Sequence, residues 1–290
     1  MTIARQQPRP AIAGSSCPIV RCRFCDERLT QTFVDLGSSP LCQKHVTAAA
    51  VHLPEPFYPL HAQVCEHCWL VQLQEFVSPG EIFGNNDYAY FSSLSDTWLK
   101  HAKDYTDAMA SRFGITKGKR VVELGSNDGY LLQYFVEKGV AVLGVEPARN
   151  CAEVAIKKGV PTQVKFFGKR TAYDIADTWG NADLLLGNNV LAHVPDVNDF
   201  VGGMKILLDS RGVITMEFPH LCRLIEHNQF DTIYHEHFSY LSFTTVENIF
   251  ATHGLTLFDV ENCLRTADRS ASTHGTQKTT RSPSIRAWPR

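Results

Sequence analysis

No stretch of this chain is apolar enough, for long enough, to cross a bilayer. The start, MTIARQQPRPAIAGSS, lacks the apolar run of a secretory signal. The sequence therefore predicts a cytoplasmic protein with no membrane partner. A charge surplus is missing too: Lys+Arg is 28 and Asp+Glu is 30, for a net charge of −2. That balance offers no basic surface to a polyanion, so no nucleic-acid partner is expected. No internal repeat is visible, which excludes solenoids. What remains is ordinary for a globular chain: 290 residues, 44% apolar and 20% charged, enough for one large domain and a small one. Nine cysteines stand out. Cytoplasmic thiols stay reduced, so these need an explanation other than disulfides.

Four of the nine form two pairs, Cys22-x-x-Cys25 and Cys65-x-x-Cys68. One such pair can be two buried thiols. Two pairs supply the four thiolates of a closed tetrahedral zinc shell, so a structural zinc site is expected at Cys22, Cys25, Cys65 and Cys68. The insert between them, with Phe33-Val-Asp-Leu-Gly and the proline-rich 53–60 stretch, reads as strands and turns of a small ribbon. Cys17 and Cys42 are weak substitute ligands. The remaining cysteines read as small apolar residues.

Farther on, Lys119-Arg-Val-Val-Glu-Leu-Gly-Ser-Asn-Asp-Gly runs from a strand through a glycine turn into a helix. The middle glycine of a G-x-G-x-x-G pyrophosphate loop is absent, which disfavours a nicotinamide dehydrogenase. Instead Glu123, Gly125, Ser126, Asn127, Asp128 and Gly129 make an acidic turn. Asp128 is expected to cap the helix and to set negative charge beside a cationic ligand. The next strand, Ala141-Val-Leu-Gly-Val, ends in Glu146, where doubly wound folds bind ribose hydroxyls. Loop and acid together point to S-adenosylmethionine. Further strands are expected at 163–167, 183–189, 212–219 and 254–261, with helices at 98–113, 151–158 and 197–208. Asn188 and Asn189 end the fourth strand, as cofactor contacts or as turn residues.

Residues 234–240 read Tyr-His-Glu-His-Phe-Ser-Tyr, a concentration of proton-transfer groups before a helix. A single histidine in such a loop is more often a packing residue. Several titratable groups in a row favour chemistry.

At this point the chain resembles a family of S-adenosylmethionine-dependent C-methyltransferases that act on nucleotide-linked 4-keto deoxysugars. The resemblance rests on the two cysteine pairs, Asp87-Tyr-Ala-Tyr-Phe-Ser-Ser, Glu123-Leu-Gly-Ser-Asn-Asp-Gly, Asn188-Asn-Val-Leu-Ala-His-Val and the 234–240 motif. It runs from about Cys22 to Glu261. It implies a class I methyltransferase sheet, Rossmann-like and doubly wound α/β, behind a small N-terminal zinc-binding module. It also implies His237 as the base that generates an enolate, with Tyr234 or Glu236 orienting it or completing a relay. Tyr88 (or Tyr90) and His193 are implied as donors to the substrate, although Tyr88 reads equally well as a core aromatic. The substrate partner is then a nucleotide-linked keto-sugar. The oligomeric state is not legible.

The expected organisation is a disordered 1–16, a zinc module over 17–80, a methyltransferase core over 81–261 and a disordered tail over 262–290. The tail turns to Ser, Thr and Arg without apolar periodicity. Suitable codons for Asn262–Thr276, read one frame over, encode Leu-Pro-Thr-His-Gly-Gly-Ser-Leu-Arg-Ile-Tyr-Ala-Arg-His, the kind of segment the family is expected to carry there. A frameshift near Glu261 is the expectation, with the last sheet strand lost and activity weak or absent. Two other readings stay open: a class I methyltransferase acting on another small molecule at C, O or N, and a non-enzymatic zinc-ribbon binding protein.

Overall fold

The computed structural model describes residues 20–84, 88–265 and 280–289. The expectations for 1–16, and for Cys17, lie outside the described residues. In chain order the elements are β1 (Gln31–Pro40), β2 (Phe57–Val64), β3 (Val71–Leu73), α1 (Pro79–Ile82), α2 (Asp96–Phe113), β4 (Arg120–Leu124), α3 (Leu132–Glu137), β5 (Ala141–Val145), α4 (Arg149–Lys157) and β6 (Thr162–Gln163). There follow α5 (Lys169–Thr178), β7 (Ala182–Asn188), α6 (Val197–Leu207), β8 (Leu208–Glu217), α7 (Leu221–Glu226), β9 (Ser239–Tyr240), α8 (Phe243–Thr252), β10 (Leu255–Arg265) and β11 (Thr280–Pro289).

Local chemistry sets the helix ends. Ser95 accepts from the Trp98 N–H at the start of α2, and Gly114 closes the helix at φ 63°. Asp196 and Ser242 cap α6 and α8 in the same way.

The large sheet has the order β10-β11-β8-β7-β4-β5-β6. Strands β4, β5, β6, β7 and β8 run parallel, as βα units require. Both faces of the sheet are covered, so its strands are apolar on both sides. Val121, Val142 and Leu184 pack with α2 and α3 residues such as Ala102 and Phe135. Val122, Leu143 and Leu185 point the other way and pack with Ile175, Phe200 and Phe250 of α5, α6 and α8.

Two expectations change. The sheet does not lack its last strand: β11 enters antiparallel between β8 and β10, with Ser284 opposite Glu217 and Ala287 opposite Ile214. The Ser/Thr/Arg composition of the tail hid the i, i+2 spacing of Ile285 and Ala287. Open backbone edges on β8 and β10 supply the reason to pair. Residues 266–279 lie outside the described residues. The third strand is shorter than expected, because β6 ends at Gln163.

The small sheet has the order β1-β2-β3-β9. Its last strand comes from the far end of the chain: Val71 pairs with Tyr240 and Gln72 with Ser239. The cysteine module therefore shares a sheet with the segment that follows His237. Among the described residues, no helix is long and apolar enough to cross a membrane.

Candidate active site and metal centre

A cavity of about 680 Å³ opens at the carboxyl ends of β4, β5 and β7. This is where the strand order reverses, the usual ligand position in open α/β sheets.

One half of the cavity is built by the glycine turn. Gly125 has φ +66°, and a Cβ there would meet Val190 at 3.0 Å. The N–H of Asn127 and that of Ala148 each donate at 2.8 Å to one oxygen of Glu146. Each carboxylate oxygen keeps a lone pair for a further donor such as a ribose hydroxyl. Burial raises the Glu146 carboxyl to about 7. Gly125, Asn127, Glu146, Asn188 and Asn189 all line the cavity. Asn188 is buried with neither amide atom hydrogen-bonded, although it faces a space large enough for a ligand. An aromatic wall that the sequence did not reveal completes this side: Trp98 stacks on Tyr130 at 5.8 Å. An acid that accepts hydroxyls, an unsatisfied amide and flat apolar rings fit a nucleoside cofactor with an amino-acid tail.

The rest of the predicted turn does something else. Glu123 is fully buried beneath the cavity, and desolvation with the nearby Glu146 charge holds its carboxyl well above the usual range. Ser126 is buried against Gly144. Gly129 has φ +75° and lies so close to Val160 and Ala155 that a Cβ would meet them at 3.1 and 3.2 Å, so this glycine serves packing. Asp128 does not cap the helix. It pairs with Lys158 at 3.1 Å and accepts from the Ser93 N–H at 3.3 Å, and the N-cap of α3 is Leu131, with no side-chain cap bond. A local cation and a neighbouring backbone compete successfully for that carboxylate. The buried side chain of Asn127 holds the 90–92 segment, donating to the Tyr90 carbonyl and accepting from the Ser92 N–H.

The other half of the cavity gathers Tyr88, His193, Tyr234, Glu236 and His237 from separated segments. Nδ1 of His237 lies 2.7 Å from the Thr232 carbonyl. A carbonyl can only accept, so Nδ1 carries the proton and Nε2 presents its lone pair. The Tyr234 hydroxyl, 3.0 Å away, donates to it. Burial lowers His237 to about 4, so the ring is neutral at physiological pH. His193 packs edge-on against His237 at 4.7 Å and is also held neutral by burial. Glu236 does not touch His237. It accepts from Tyr88 at 3.3 Å, and its Oε2 lies 3.9 Å from His193 Nδ1. Burial pushes Glu236 up to about 7, opposed by hydrogen bonds from Tyr88 and Cys42. Tyr88 belongs to this cluster. Burial and the adjacent Glu236 charge raise its hydroxyl. Tyr90 is exposed, and its carbonyl binds Asn127. His235 points away, toward the Tyr58 carbonyl in β2. Phe83 packs on both Tyr88 and His193, and Gln43 joins the wall. Neither carried a signal in the sequence.

Cys22, Cys25, Cys65 and Cys68 bring their sulfurs within 4.8 Å of one another. Cys22–Cys68 and Cys25–Cys65 are each 3.5 Å apart. A zinc ion with Zn–S bonds of about 2.3 Å holds sulfurs roughly 3.8 Å apart, so this donor set fits zinc. The Cys68 hydrogen bond pulls Cys22 down to about 4 and raises Cys68 in turn, while burial raises Cys25 to about 11. Four thiolates close the shell, and none of them lines the cavity. Cys42 is not a ligand; it adjoins Glu236.

The fold and cavity are those of the S-adenosylmethionine-dependent methyltransferase class. The chain belongs to the methyltransferase domain family, which matches residues 98–260, and a family described as a zinc binding domain matches residues 22–83. It is similar to the C-methyltransferase NovU of Streptomyces niveus, 38% identical over 243 residues, which are 84% of this chain and 57% of that protein. The chain thus spans little more than half of that relative. A ubiquinone biosynthesis O-methyltransferase of Bradyrhizobium sp. (strain ORS 278) is 23% identical over 48% of this chain and 63% of its own length. Among solved structures, a chain from the complex of the Haloferax volcanii Trm112 methyltransferase activator with a methyltransferase has a TM-score of 0.50 at 14% identity, covering 67% of this chain and 94% of that one.

Proposed function

We propose that the chain methylates carbon next to a ketone, on a nucleotide-linked 4-keto deoxysugar, through a base-generated enolate. A C–H bond has no lone pair, so a proton must leave carbon before a methyl group can arrive. The observation that carries the reading is the Thr232–His237–Tyr234 chain, in which a neutral imidazole with a defined tautomer accepts from the Tyr234 hydroxyl and both side chains belong to the cavity wall. An oxygen or nitrogen acceptor already carries a lone pair, so a base there removes a proton from the heteroatom and no α-carbon exchange results. In this reading the Tyr234 oxygen takes the α-proton as its own proton passes to His237 Nε2. Tyr88 and His193, with Glu236 behind them, face the developing oxyanion. S-adenosylmethionine, when bound, supplies an electrophilic methyl group on a sulfonium. Glu146, Asn188, Trp98 and Tyr130 are the residues that hold it. Similarity to NovU supports carbon as the acceptor.

The test is solvent deuterium exchange at the α-carbon of nucleotide-linked 4-keto sugars, followed by NMR of the methylated product. Exchange that depends on His237, and a new methyl on carbon, are expected. Methyl transfer to oxygen or nitrogen without α-exchange sinks the proposal.

A further inference from the structure

We propose that Arg23 is a positioning residue that carries the state of the cysteine cluster to the proton-transfer half of the cavity. The inference rests on the reading of that half given above. Arg23 lies inside the first knuckle, between Cys22 and Cys25. Its backbone N–H donates to Gln72 Oε1 at 2.9 Å, and Gln72 Nε2 donates to Cys22 Sγ at 3.2 Å. The position of Arg23 is thus tied to a ligand sulfur twice, by chain and through Gln72.

Its guanidinium reaches out of the module. Nη1 donates at 2.8 Å to the carbonyl of Pro195, which lines the cavity just after His193. Nη2 donates to the carbonyl of Leu73. The same group lies 5.5 Å above the ring of Phe238, the residue after His237. Phe238 is the hub: its carbonyl accepts from the Leu73 N–H at 3.0 Å, and its N–H donates to the Ala192 carbonyl at 2.8 Å. One planar cation therefore touches both segments that carry the two cavity histidines, the one after His193 at a backbone carbonyl and the one after His237 at the Phe238 ring. The fork of a guanidinium can hold two carbonyls at once. A lysine ammonium is a single point. The α6 residue Asn198 seals the knuckle from outside, donating to the Phe24 carbonyl at 2.8 Å.

The physical consequence is a coupling. With the metal bound, the 22–25 turn has one position, and Arg23 pins Pro195 and Phe238. With the metal gone, four thiols without a common centre release the turn, and the two histidine-bearing segments lose a shared anchor.

The test reads ring geometry, not turnover. Imidazole resonances of His193 and His237, assigned by His193→Gln and His237→Gln, are recorded for wild type, Arg23→Met and Arg23→Lys. Zinc content and S-adenosylmethionine binding are measured in parallel. In zinc-loaded Arg23→Met, both ring signals are expected to move although one zinc remains bound. Removing zinc from wild type with a chelator should move them in the same direction, and removing it from Arg23→Met should add little. Arg23→Lys should show an intermediate displacement. Wild-type ring positions in zinc-loaded Arg23→Met overturn the proposal. So does a chelator response of equal size with and without the guanidinium. Should Arg23→Met fail to fold, the same cycle on Arg23→Lys decides: a wild-type spectrum and a full chelator response refute it. Because no methyl acceptor is used, failure here is separate from failure of the proposed reaction.

Discussion

The two halves of the cavity are built on different plans. The cofactor half is built at the ends of adjacent parallel strands: the glycine turn after β4, the end of β5 and the end of β7. Its key acid is set by two backbone N–H bonds, one from Ala148 two residues on and one from Asn127 in the glycine turn of the adjacent strand. The proton-transfer half collects side chains from near residue 42, from 83–88, from 193 and from 234–237. It is held by a small sheet whose strands come from both ends of the chain. Local geometry makes the first half robust to distant change. The second depends on long-range packing, so damage far from the chemistry should reach it.

Four experiments sharpen or break that contrast, from the largest expected effect to the smallest. His237→Gln should lower α-carbon deuterium exchange by ~10²–10⁴-fold, the usual worth of a positioned base. Calorimetric affinity for S-adenosylmethionine should stay near wild type. An equal loss of both would show that the halves are not separable.

Phe238→Ala tests the long-range support. This ring is 1% exposed, and truncating a buried phenylalanine costs about 3–5 kcal/mol by chemical denaturation. The loss of exchange should again exceed any loss of cofactor binding.

The third experiment uses pH. Glu236 has its pKa raised from 4.5 to about 7 in the fold. Its folded value lies above its unfolded one, so its stabilising contribution is complete below about 4.5 and disappears as pH rises through about 7. Glu236→Gln should therefore gain stability relative to wild type on going from pH 4.5 to 8, by up to roughly 3 kcal/mol. His237 runs the other way. Lowered from 6.5 to about 4, it contributes fully above 6.5 and loses that contribution as pH falls through 4. Thermal melts across this window check both signs.

Last, Glu146→Ala removes the acceptor of two backbone bonds. It should weaken S-adenosylmethionine by about 10–100-fold, the equivalent of roughly 1.5–3 kcal/mol for hydrogen bonds to a charged group. Deuterium exchange at saturating cofactor should survive. Its disappearance would tie proton transfer to the cofactor turn.

The same contrast explains what the sequence disclosed. Cysteine pairs, the Gly125 turn and Glu146 were legible because their meaning lies in short spacing. His237 and Tyr234 were legible because they are three residues apart on one turn. Asp128 was misread, since sequence shows a carboxylate but not that Lys158 and Ser93 claim it. Phe83, Trp98 and Gln43 gave no signal, because an aromatic or amide acquires a wall position only through tertiary packing. Strand β9 is two residues long and has no period to detect. Strand β11 was hidden by a polar composition that backbone pairing does not require.

The pairing of Val71 with Tyr240 and of Gln72 with Ser239 also limits how this protein can be recombined. Its cysteine-bearing front cannot be traded for a paralogue's by cutting once near residue 83. A working hybrid has to import the 238–241 stretch from the same donor, so inheritance of the front end and of the residues beside His237 is linked.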